Sequence, residues 1–138
     1  MIHTEIDWQT HDGIPVYAEA WQPENDARAV ICLLHGLGEY TSRYNDVAHS
    51  FTRNGYILFG ADMRGHGRTK GKRGHIPSKE SILQDIDLLL ENADSQFRNL
   101  PLFLYELVMW ENAYHELHKE PEKDKVIGTM VSWIEEQL

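Results

Sequence analysis

Cysteine occurs once in the 138 residues, as Cys32, so no disulfide can form within the chain and a packed core has to supply its stability. Val30, Ile31, Leu33 and Leu34 surround it, a setting for a small buried apolar side chain rather than a reactive thiol. No apolar run approaches the roughly 18 residues of a membrane-spanning helix, so no transmembrane segment is expected. The opening Met1, Ile2, His3, Thr4 and Glu5 lack the basic and apolar regions of an export signal, which makes the cytoplasm the expected location. Basic residues are scarce as well. Thirteen Lys and Arg stand against 22 Asp and Glu, for a net charge of −9, and that balance argues against nonspecific nucleic-acid binding, which needs a positive field to displace phosphate counterions. No internal repeat, low-complexity segment or interdomain linker interrupts the chain.

What is present suits one small domain. A chain of this length with 41% hydrophobic residues can bury a single core but is too short for two. Residues 2–8 and 14–21 predict two strands joined at His11, Asp12 and Gly13, where the Asp-Gly pair favours a tight hairpin turn. The continuous apolar run at 29–34 predicts a strand covered on both faces. From 42 to 54, Tyr44, Val47, Ala48 and Phe51 recur at helical spacing, and Gly55 is placed to end that helix. Residues 56–60 predict the next buried strand, and a glycine-rich loop follows. Ser78 is placed to cap a helix with Ile82, Leu83, Ile86, Leu89, Leu90, Ala93 and Phe97 on one stripe. Residues 101–105 predict a further strand. A last helix is expected from about Pro121, turning Val126, Ile127, Met130, Trp133, Ile134 and Leu138 towards the core. This alternation implies a mostly parallel, helix-covered sheet behind an N-terminal antiparallel hairpin.

Three motifs carry the chemistry. Leu33, Leu34, His35, Gly36, Leu37, Gly38 and Glu39 follow one buried strand. Asp62, Met63, Arg64, Gly65, His66, Gly67, Arg68 and Thr69 follow the next. Ala113, Tyr114, His115, Glu116, Leu117 and His118 precede the last helix. Together they resemble the α/β-hydrolases of the monoacylglycerol lipase and lysophospholipase group, in the serine aminopeptidase S33 class. Residues 1–105 resemble that group's N-terminal part and residues 106–138 its C-terminal part. The resemblance implies one truncated domain over residues 1–138, an incomplete α/β-hydrolase fold.

The family's nucleophile motif, Gly-x-Ser-x-Gly, should follow a strand such as 101–105, and it occurs nowhere in the chain. Such an elbow holds a serine hydroxyl on a strained turn within reach of an imidazole. None of Ser42, Ser50, Ser78, Ser81, Ser95 and Ser132 follows a buried strand with a glycine two positions away on each side. The interval that carries the family's triad aspartate is missing too. Strand 101–105 also meets the strand-like residues 107–111 with no room for the crossover that two parallel neighbours need, so a merged strand kinked at Glu106 is expected.

By resemblance, His115 matches the triad base and is read as vestigial, with His118 the weaker candidate and Glu116 or Asp124 able to approach it. The backbone N–H of Leu37 matches one oxyanion donor, and the family's second donor belongs to the absent elbow. The Asp62 loop is read as a support for the oxyanion loop, with Thr69 where the family usually has serine. His35, His66 and His75 are read as hydrogen-bonding loop residues, so no metal and no cofactor are expected. The substrate-binding residues are unknown.

The parent chemistry implied is hydrolysis of a small lipid ester, a monoacylglycerol or lysophospholipid, through an acyl-serine intermediate. For this chain the reading is an internally deleted, inactive relative. Two alternatives stand beside it: a noncatalytic protein that self-associates through an unfinished sheet edge, or a complete lipase whose intervening residues are missing from this sequence.

Overall fold

A computed structural model of the chain describes residues 1–75, 77–104 and 123–138, with the side chain of Lys123 left aside. Five strands and three helices are built from them: β1 (Ile2–Gln9), β2 (Pro15–Gln22), β3 (Ala29–Leu33), α1 (Asn45–Arg53), β4 (Tyr56–Ala61), α2 (Lys79–Gln96), β5 (Leu102–Leu104) and α3 (Lys123–Gln137). A short 3-10 turn, Thr41–Tyr44, leads into α1.

The strands form one mixed sheet in the order β1-β2-β4-β3-β5. β1 with β2, and β2 with β4, pair antiparallel, whereas β3 lies parallel to both β4 and β5. The hairpin expected at the N-terminus is β1–β2, turned through Gly13 at φ +82°, a conformation glycine adopts without steric cost. β5 takes the place expected for the 101–105 strand, with Val30 opposite Leu102 and Cys32 opposite Leu104. The rest of the expected merged strand, including Glu106, lies outside the described residues.

Alternation along the strands divides the core into two layers. On one face Trp21, Ile31, Leu33 and Leu58 pack with Val47, Phe51, Ile127 and Ile134 from α1 and α3. On the other, Ala18, Val30, Cys32, Ile57 and Phe59 pack with Leu89 and Ala93 of α2. Both layers converge on β3 and β4, every residue of which is buried, as the unbroken apolar run at 29–34 predicts. Phe51 is wholly buried, and a side chain of this size removed from water contributes about 1.5–3 kcal/mol.

Local signals placed the helices well. Ser78 Oγ accepts the N–H of Ser81 at 3.1 Å and caps α2, and Gly55, at φ +81°, follows α1. The outer positions of two predicted stripes behave differently. Leu83, Trp133 and Leu138 are half exposed, and only Leu89 and Ala93 of α2, and Val126, Ile127 and Ile134 of α3, are fully buried among the apolar residues of those stripes. Trp133 instead meets Phe103 of β5 edge to face, with ring centroids 5.8 Å apart. No helix among the described residues is long and apolar enough to cross a membrane.

Candidate functional site

The carboxyl ends of the parallel strands β3 and β4 carry the two motif loops, and their hydrogen bonds tie one loop to the other. Residues 36–39 make a β-turn closed by the Glu39 N–H on the Gly36 carbonyl at 3.1 Å, with Gly38 at φ +81° in the third position, the type II requirement. Glu39 is buried beneath it and its Oε2 accepts the N–H of Gly36 at 2.9 Å and the hydroxyl of Tyr44 at 2.6 Å. At the tip, Leu37 is 70% exposed, and its N–H has no acceptor among the described residues. A turn built this way presents a backbone donor to whatever occupies the space in front of it.

His35 joins the loops. Its Nε2 accepts the N–H of Met63 at 2.9 Å, which leaves the proton on Nδ1, and that N–H faces the carbonyl of Gly36 at 2.9 Å. The ring is buried, so burial depresses its pKa and keeps the imidazole neutral. Its bonds hold loop to loop and leave neither nitrogen for proton transfer. His66, 5.2 Å away between ring centroids, has its Nδ1 on the carbonyl of Arg64 at 2.9 Å. Among the described residues no group of His, Cys, Asp and Glu side chains is arranged to hold a metal ion.

Asp62 is the second tie. Its Oδ1 accepts the N–H of Thr41 and its Oδ2 the N–H of Arg68, each at 2.7 Å, and the residue is 3% exposed. Gly67 lies so close that a Cβ there would stand 2.0 Å from Asp62 Oδ2. Thr69 Oγ1 accepts the N–H of Tyr17 and fastens the far end of the loop to β2. Arg64 spans outward, bidentate on Asp85 of α2 at 2.5 and 2.9 Å and single-handed on Asp12 of the hairpin turn at 2.6 Å, bonds that raise its pKa further.

Between the loops is an open cleft of about 570 Å³, lined among others by Leu37, Tyr40, Ser42, His66, Arg68 and Arg73. Ser42 is the only described serine on its wall, and its hydroxyl donates to Glu19 at 2.8 Å rather than to an imidazole. Glu19 itself is a buried carboxylate in mid-strand that the motif reading missed. It accepts the Tyr17 hydroxyl at 3.0 Å and lies 3.2 Å from His3 Nε2, whose ring stacks on Trp21. Burial, with the bonds to Glu5 and Glu19, pushes the Tyr17 pKa upward. The available signal was Glu19's place in β2, where residues 17, 19 and 21 share one face and two of the three are aromatic.

Leu37 is thus placed at the cleft with an N–H that meets no acceptor among the described residues. His115, His118 and Glu116 lie outside the described residues, and Asp124, in the first turn of α3, makes no hydrogen bond to either loop among the described residues.

A parallel β4–β3–β5 core with an exposed donor turn after β3 and a clamped glycine loop after β4 defines a partial α/β-hydrolase fold. The chain belongs to the family described as serine aminopeptidase, S33, whose profile matches residues 25–109. A monoacylglycerol lipase of Mycolicibacterium smegmatis is 35% identical over 89 residues, which cover 64% of this chain and 32% of that protein. A phospholipase of Bacillus subtilis is 30% identical over 104 residues, covering 75% and 39%. Among solved structures, a soluble variant of the monoglyceride lipase of Saccharomyces cerevisiae, in complex with a substrate analogue, superposes with a TM-score of 0.63 at 26% identity, over 75% of this chain and 34% of that one. The chain therefore spans about a third of the length of the relatives it matches.

Proposed function

We propose that this chain is a single truncated hydrolase domain over residues 1–138, an internally deleted relative of monoacylglycerol lipases that does not turn over esters. The absence of any Gly-x-Ser-x-Gly elbow carries this reading, because acyl transfer needs a hydroxyl activated by a base and none is supplied. The parent reaction is hydrolysis of a monoacylglycerol or lysophospholipid ester through an acyl-serine, with no cofactor. Of its parts this chain keeps one oxyanion donor, the N–H of Leu37, and His115 as a vestigial base. One donor without its companion and without a nucleophile gives no covalent step. Ser42 does not substitute, since its hydroxyl is engaged by a carboxylate. A cytoplasmic setting is part of the reading, supported by the single buried cysteine.

The test is turnover of a short-chain ester and of a monoacylglycerol, together with labelling by a serine-directed fluorophosphonate. Neither turnover nor labelling is expected. Stoichiometric labelling mapped to one of the six serines, with turnover abolished by His115→Ala and kept by His118→Ala, would overturn the inactivity while preserving the role assigned to His115.

A further inference from the structure

Between Asp62 and Glu80 the chain has six basic residues and no acidic one, although the whole molecule is acidic. Arg64 is taken up by Asp85 and Asp12, and Arg68 by Glu5. Lys70, Lys72 and Arg73 are exposed and have no acidic partner among the described residues. Two backbone bonds turn this stretch of chain: the N–H of Gly65 reaches the carbonyl of Lys70 at 3.2 Å, and the N–H of His75 that of Lys72 at 3.1 Å. The cleft that Arg73 lines also carries Leu37 at 70% and Tyr40 at 43% exposure.

We propose that this rim docks the chain on an anionic lipid surface, with Lys70, Lys72 and Arg73 among the headgroups and Leu37 and Tyr40 at the acyl boundary. Cations beside exposed apolar and aromatic side chains are the pairing that a charged bilayer interface selects. The net charge of −9 does not oppose this, because only charges within about 8 Å of the surface are felt at physiological salt. A bilayer fits better than a soluble polyanion, which would leave the apolar side chains in water. The proposal goes beyond the hydrolase reading and does not depend on turnover.

Sedimentation of the full chain with phosphatidylcholine vesicles, with and without phosphatidylglycerol, tests it. Binding is expected with the anionic lipid. Replacing Lys70, Lys72 and Arg73 together with Gln should weaken it on the order of a hundredfold, at about fivefold per charge. Raising salt from about 0.15 M to about 1 M, which shortens the Debye length from ~8 to ~3 Å, should suppress it. Leu37→Ser should weaken it further, while Arg98→Gln, beyond α2 at the sheet's opposite end, should leave it unchanged. All these positions are exposed, so the substitutions leave the core intact. Equal partition of the triple variant and the parent chain overturns the proposal. So does binding that heparin fully displaces and that Leu37→Ser does not touch, which would assign the patch to a soluble polyanion.

Discussion

Asp62 accepts the backbone N–H of Thr41, 21 residues earlier in the chain, at 2.7 Å while its other carboxylate oxygen holds the N–H of Arg68. One buried side chain thereby satisfies a donor at the start of the 3-10 turn that follows the first motif loop and another within the second loop. Replacing it by Asn keeps a single acceptor oxygen and turns an N–H₂ towards the other donor, and Ala removes both acceptors. A buried donor left without a partner costs about 1–3 kcal/mol. Chemical denaturation should show Asp62→Ala losing roughly twice what Asp62→Asn loses, and equal losses would show that only one of the two bonds matters.

Gly67→Ala should destabilise the chain by about 2–4 kcal/mol. Its φ of +49° and the 2.0 Å approach of a Cβ to Asp62 Oδ2 leave no room for the methyl group. Gly74→Ala shares the positive φ but meets nothing within 4 Å, so it should lose only the smaller backbone-strain component. Similar unfolding midpoints for the two variants would remove the role given to the Asp62 contact.

Stability should fall as the solution is acidified below about pH 6.5, with His35 a contributor. In the unfolded chain its imidazole takes up a proton near its ordinary value of 6.5, whereas burial lowers the pKa in the fold. The unfolded state therefore binds more protons as pH falls, and stability present above 6.5 is lost on passing down through the folded pKa. Protonating Nε2 also removes the acceptor for the Met63 N–H. In a pH series of denaturant midpoints, His35→Gln should flatten this part of the profile. An unchanged profile in that variant would assign the acid loss to other groups.

Cys32 should resist thiol reagents in the folded chain. Burial pushes its thiol pKa up to about 12, which leaves almost no thiolate at neutral pH. Modification by a disulfide reagent should proceed at the rate of opening and become fast in denaturant. Rapid stoichiometric reaction under native conditions would show that the β3 core opens far more readily than its packing implies.

The two motif loops and most element boundaries were legible in the chain because their causes are local. An apolar run makes 29–34 a covered strand, Ser78 and Gly55 punctuate helices, and Gly38 permits a turn wherever it falls. The motif spacing likewise announced the family and the missing elbow, since both depend only on residue order. Leu83 and Trp133 show the limit of periodicity: their helical spacing is right, but exposure depends on how far a neighbouring element reaches.

Residue order alone determined a hairpin, buried strands and capped helices, two glycine loops with their candidate donor at Leu37, and the lack of a Gly-x-Ser-x-Gly motif. Tertiary structure alone decided that β5 lies on β3 and β2 on β4, that Asp62 and His35 bind the two loops together, that Arg64 joins Asp12 to Asp85, and that Glu19 is buried between Tyr17 and Ser42. Apart from Tyr17, two residues from Glu19, these partners lie about 20 to 70 residues apart. Nothing in a window of one helix or strand encodes them, because a carboxylate's partners are chosen by whichever backbone donors the completed sheet brings within 3 Å of it.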